Sequence, residues 1–224
     1  MATVRDVIDA LRRNGLQPGQ AAACLRAPGA SLPGVYSRSA MDRAHATFFM
    51  ARLEGVRRLV CWGDSPLAST FAGKVDAECA ARVIPCSPDN VAALHAAFPF
   101  TAPVSVARNR STLGAGDRLG CATPGHIRAV RPCDVVPVLA QQSQRELKLT
   151  GRTFPEVIAA ASWGVFQEHF TRGYGADADH LKTEAEVRHA LQQGATMITL
   201  DCSEHIDVTA LAPSGSPAAP ASAA

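Results

Sequence analysis

Apolar positions along the chain fall into two regimes. Near the N-terminus, Val4, Val7, Ile8 and Leu11 recur at helical spacing and Gly15 follows as a stop, which predicts an amphipathic helix over residues 3–14. The stretch 18–39 is rich in Gly, Pro, Ser and Ala and reads as irregular structure around Tyr36. A second helix is expected over about 41–55, feeding a short strand at Arg57–Trp62 that Gly63-Asp64 closes; a further helix follows near 90–97 and an apolar stretch at 102–107.

Beyond Asn109 the alternation becomes regular. Val135–Ala140 reads as a strand that ends in Gln141, Gln142 and Ser143. Thr153 and Glu156 have capping-box spacing and open a helix carrying Ile158, Trp163 and Phe166 that runs toward Gly173. Residues 174–180 form a second strand loaded with acids. Thr183 and Glu186 repeat the capping-box spacing, Val187, Ala190 and Leu191 give that helix an apolar face, and Gly194 ends it. Met197–Leu200 is a third strand, followed at once by Asp201, Cys202, Ser203, Glu204, His205 and Asp207.

Short apolar strands alternating with helices predict parallel β-α-β units. In such sheets ligands bind at the C-terminal ends of the strands. The polar clusters after the three strands are therefore expected on one shared rim. About 100 residues follow Asn109, enough for roughly four strands of a barrel that takes about 250 residues when complete, so half a barrel is expected. The last residues, from Pro213 to Ala224, lack bulky apolar side chains and are expected to be disordered.

Composition narrows the functional classes. Twenty-two basic and 20 acidic residues leave a formal charge of +2 without a basic run, which argues against nucleic acid as a partner. No window approaches the ~18 uncharged apolar residues of a membrane span, and Asp6, Asp9, Arg12 and Arg13 are unlike a signal peptide, so a cytoplasmic protein is expected. Seven dispersed cysteines with no CxxC pair read as free, buried thiols.

Six segments then form a specific series: Asn109–Gly120, Ala122–His126, Leu139–Ser143, Trp163–Glu168, Gly175–Thr183 and Leu200–Asp207. Together they resemble the signature blocks of the tagaturonate epimerase family, and Phe98–Thr101 fits that family's N-terminal region. The resemblance covers nearly all of residues 1–208 and implies an α/β fold: a mixed α/β N-terminal region (1–108), the first half of a TIM-type (β/α) barrel (109–208) and a tail (209–224). It also implies a divalent metal cation as cofactor and a small keto-sugar acid, interconverted between D-tagaturonate and D-fructuronate, as substrate. Family members are roughly twice as long, so the resemblance implies a truncated chain with further strands and another metal-binding histidine beyond Asp207.

Carried onto this sequence, the resemblance makes His180 a metal ligand and Asp179 a general base, with Glu168 a second catalytic candidate inside its own block. Gln141, Gln142 and Lys182 are candidates for the substrate's hydroxyls and carboxylate. Asp117, Arg118, Asp201 and Glu204, which stand at equivalent strand ends, are further candidates for substrate binding. The bland alternatives are a helix-capping role for Asp179, a solvated Lys182, a salt-bridged Glu168 and a buried Asp117–Arg118 ion pair. His45, His95, His169 and His189 are expected in helical stretches with no site role. Retained family membership without activity, or another metal-dependent sugar isomerase or aldolase of the same fold class, remain competing readings.

Overall fold

The computed structural model describes residues 2–30, 32–106 and 111–206. The expected tail, together with Asn109, Arg110 and Asp207, lies outside the described residues.

Thr3 and Asp6 form a reciprocal capping box that starts α1 (Val4–Arg13), which buries Val7, Ile8 and Leu11. A box of this kind is worth about 1 kcal/mol. After α2 (Ala22–Arg26) come three strands joined by tight turns, β1 (Val35–Arg43), β2 (Ala46–Leu53) and β3 (Val56–Trp62). The expected helix over 41–55 is thus a hairpin. Ala44 and His45 turn the first corner at φ 46° and 64°, and Glu54 and Gly55 turn the second at φ 50° and 85°. Positive φ at both central residues matches the twist of paired strands, so the backbone closes without a longer loop. His45 accordingly lies in a turn, and Tyr36 in a strand.

β4 (Lys74–Asp76) and β5 (Ala81–Pro85) complete an antiparallel sheet of order β1-β2-β3-β5-β4, and α3 (Val91–Ala97) follows it. β2 explains why this sheet holds together. Phe49 and Ala51 join the core beneath α1 and α2, whereas Phe48 and Met50 point into a second core with Leu94, Phe98, Trp163 and Phe166. Both faces are covered, so every second residue is apolar on each side.

The remaining elements are β6 (Thr112–Gly114), α4 (Thr123–Val130), β7 (Val136–Ser143), α5 (Gln144–Thr150), α6 (Phe154–Glu168), β8 (Gly175–Leu181), α7 (Glu184–Gln192) and β9 (Met197–Leu200). Their four strands form a parallel sheet of order β6-β7-β8-β9. The Thr153/Glu156 and Thr183/Glu186 capping boxes start α6 and α7 as expected, and a third box, Ser143/Glu146, starts α5. α6 stops earlier than expected, at Glu168, where His169 adopts a left-handed φ of 47°. Its two sides serve two cores: Val157, Ile158, Ala161 and Val165 pack on the parallel sheet, and Ala159, Trp163 and Phe166 pack against the antiparallel one. α4 lies close against it, since a methyl group at Gly164 would come within 2.6 Å of Thr123 Cγ2. The opposite face of the parallel sheet carries Val106, Val136 and Val138, with Met197 packed against them.

All seven cysteines are free, but only Cys61 and Cys79 are buried, while Cys24, Cys121, Cys133 and Cys202 are exposed. Burial pushes the Cys61 thiol up to about 12. Among the described residues no helix is long and apolar enough to cross a membrane.

Candidate active site

Parallel pairing aligns the ends of β7, β8 and β9. Gln141 lies opposite Asp177, Ser143 opposite Asp179, and Leu181 opposite Leu200. Alternation along β8 sends Ala176 and Ala178 into the helix-covered core and leaves Asp177 and Asp179 on the other face. The chain then places His180 and Lys182 at the strand's end, beside Asp201 just past β9 and Glu204 in the turn Ser203–His205.

Asp179 and His180 face each other with Oδ1 and Nε2 3.7 Å apart, beyond hydrogen-bond range. His180 has a left-handed φ of 57°, a conformation that costs a non-glycine residue on the order of 1 kcal/mol. Burial raises the Asp179 carboxyl above the ordinary carboxylate range; the His180 ring opposes this, and the negative charges of Asp177 and Glu146 add to it. Lys182 is half-exposed, hydrogen-bonded to Glu204 and 3.8 Å from Asp201, and the Glu204 bond raises its pKa. Asp201 also accepts from the Ser203 amide at 3.0 Å. Arg118 reaches the same neighbourhood by pairing with Glu146 of the α5 capping box.

Three sequence candidates do not join this group. Glu168 ends α6, which runs back from the rim, so it lies toward the strand entrances. There it is 2% exposed and held by Arg128 and Arg38. Gln142 points to the helix side, where its amide donates to Thr150 Oγ1 at 2.8 Å and accepts from Arg152 at 3.0 Å. Asp117 is buried, and its carboxylate is filled by the amides of Leu119, Cys121, Ala122 and Thr123 and by the Thr123 hydroxyl at 2.6–3.3 Å. It organises the loop into α4, and no Asp117–Arg118 ion pair forms.

Asp177 stands beside this group and was not singled out in the sequence. It is fully buried between β7 and β9, and strand alternation from Asp179 was the signal that could have found it. Among the described residues, no three His, Cys, Asp or Glu side chains converge as a metal-holding set. Asp179 and His180 are two donors, so residues beyond this group would be needed to complete a centre. A cleft of about 760 Å³ lies elsewhere, beside α1 and β4, and holds none of these residues.

Chemically, the rim offers a carboxylate of raised pKa, an exposed imidazole, an amide and a lysine within reach of strand ends. The model of the tagaturonate epimerase family matches residues 36–215. A tagaturonate/fructuronate epimerase from Thermotoga maritima is 39% identical over 175 residues, covering 77% of this chain and 36% of that protein. A glycerol-complexed crystal structure of the fructuronate-tagaturonate epimerase UxaE from Cohnella laeviribosi superposes with a TM-score of 0.76 at 45% identity, over 80% of this chain and 36% of that one. The native crystal structure of the same enzyme gives a TM-score of 0.76 at 43% identity, over 86% and 39%. The chain thus spans little more than a third of the length of the relatives it matches, and it belongs to the tagaturonate epimerase family.

Proposed function

We propose that this chain carries the part of a tagaturonate/fructuronate epimerase that handles the substrate's reacting hydroxyl. The observation that carries the reading is the gathering of Asp179, His180, Lys182, Gln141 and Asp201 at aligned ends of parallel strands in a member of that family. The four strands are read as the first half of a TIM-type barrel, with residues 1–108 as a mixed α/β region packed beside it. The cytoplasm suits its free cysteines.

The carbon to be inverted is β to the ketone, so loss of its C–H proton would leave charge that the carbonyl cannot delocalise. A retro-aldol route avoids this. Asp179 takes the proton from the hydroxyl on that carbon, the bond to the neighbouring α-carbon breaks, and an aldehyde and an enediolate result. After the aldehyde turns over, the bond re-forms on its other face and Asp179 returns the proton. The raised pKa of Asp179 strengthens it as a base. Lys182 offers its charge to the substrate carboxylate, and Gln141 and Asp201 offer groups to the hydroxyls. A divalent cation, for which His180 is this chain's candidate donor, would supply Lewis-acid stabilisation of negative charge on the keto acid.

The test is to incubate the purified chain with D-tagaturonate and divalent cations, follow D-fructuronate, and repeat with Asp179→Asn. Turnover that disappears in the variant supports the reading. Turnover unchanged in the variant removes Asp179 as the base, and a wild-type chain that neither converts nor binds the keto acid removes the reading for this chain.

A further inference from the structure

Asp177 is the centre of a polar row that crosses three strands. Gln141 Nε2 of β7 donates to Asp177 Oδ2 over 3.1 Å, and Thr199 Oγ1 of β9 donates to the same oxygen over 2.8 Å. The residue is 0% exposed, and its Oδ1 is buried without a partner among the described residues. Burying a carboxylate with one oxygen unused is costly, so the two bonds it does make are strongly enforced.

Those bonds also carry direction. A carboxylate only accepts, so the nitrogen end of the Gln141 amide is the end turned toward Asp177 and the oxygen end is turned away. β6 meets that outer end without a side chain. A methyl group at Gly114 would come within 2.6 Å of Gln141 Oε1, and one at Gly116 within 2.7 Å of the Gln141 backbone oxygen. Gln141 is therefore clasped between a carboxylate on one strand and bare backbone on another. Its Oε1 has no hydrogen-bond partner among the described residues and is not buried as an orphan.

We propose that Asp177 is a positioning residue for Gln141, holding the amide so that its oxygen end is turned to the space Gly114 leaves open beside β6, where an arriving ligand meets a hydrogen-bond acceptor suited to a sugar hydroxyl. The role of Gln141 toward substrate rests on the function proposed above; the clasp itself does not. Asparagine at 177 keeps the shape but can turn either its oxygen or its nitrogen toward Gln141, so it no longer dictates the amide's direction.

The experiment uses the isotope-labelled full chain and nuclear magnetic resonance, with the Gln141 side-chain amide pair identified by its loss in Gln141→Ala. In the wild type this pair should exchange with solvent roughly tenfold more slowly than those of exposed glutamines. Protection should vanish in Asp177→Asn and persist in Thr199→Val. A Gln141 pair exchanging as fast as exposed glutamines in the wild type overturns the inference, and that measurement stands even if Asp177→Asn does not fold. Protection unchanged in a folded Asp177→Asn overturns it equally. Adding D-tagaturonate separates the two claims: a protected pair that shifts with ligand supports both, whereas a protected pair that does not shift supports the clasp and counts against the proposed substrate site.

Discussion

Arg128 grips Glu168 with two hydrogen bonds, Nε to Oε2 at 3.0 Å and Nη2 to Oε1 at 2.7 Å, at the end of α6 remote from the strand-end rim. Arg38 stands 3.5 Å from the same carboxylate, so a buried acid is matched by guanidinium groups from both sheets' surroundings. Glu168→Gln should lower stability by about 2 kcal/mol, or roughly 4–8 °C in melting temperature. Arg128→Ala should cost less, because that side chain is more than half exposed and Arg38 remains. Thermal melts check both, and ligand binding at the rim should be untouched in each.

Asp117 gives a prediction in pH. Burial raises its pKa, but the amides of Thr123, Cys121 and Ala122 and the Thr123 hydroxyl outweigh burial and hold the carboxyl below its ordinary value. A folded pKa depressed below the unfolded one means a contribution that is present above about pH 4 and lost as pH falls through the folded pKa. Asp117→Asn should therefore be less stable than wild type by about 2 kcal/mol at neutral pH, with the gap closing on acidification. Denaturant titrations at a series of pH values measure it.

Asp179 should behave in the opposite sense. Its folded pKa is raised, first by burial, so its contribution to stability is fully present below the unfolded value near 4 and is lost as pH rises through the folded pKa. Asp179→Asn, which cannot ionise, should gain on the wild type as pH rises toward neutrality. A variant that loses stability on that side of the titration would contradict the raised pKa.

His180 and Gly116 supply a pair of backbone predictions. His180→Gly relieves a left-handed φ and should stabilise the chain by roughly 0.5–1 kcal/mol, while removing the imidazole from the rim. Gly116→Ala drives a methyl group into the Gln141 backbone oxygen and should destabilise by about 1–3 kcal/mol. Gly114→Ala meets only the tip of the Gln141 side chain, so it should cost less and disturb the Gln141 amide more.

Three of the parallel strands, β7, β8 and β9, were legible because each ends in a cluster of polar residues next to a helical pattern, whereas β6 was not, since Thr112–Gly114 is three exposed residues with no apolar run. The hairpin over 35–53 was not. β2 is buried on both faces, so its apolar residues run continuously and lose the alternation that marks a half-covered strand. Its corner is turned by Ala44 and His45 at positive φ, without the glycine or asparagine that usually signals such a turn. At the site, Asp179, His180 and Lys182 stood out by their clustering, whereas Asp177 looked like one more acid, since burial between neighbouring strands is a tertiary fact. Glu168 misled for a topological reason: a helix returning from the rim carries its last residues to the other end of the sheet.

α6 ties the two sheets into a single unfolding unit. Trp163 and Phe166 leave it to pack with Phe48 and Phe98, whose rings meet edge-on at centroid distances of 5.2 Å and 5.0 Å along the series Phe48, Phe98, Phe166. Neither sheet can let go of this wall without stripping aromatic surface from the other, so heat should melt both in one cooperative step. A fragment beginning after residue 108 would carry Trp163 and Phe166 as bare adhesive patches and should self-associate rather than fold alone.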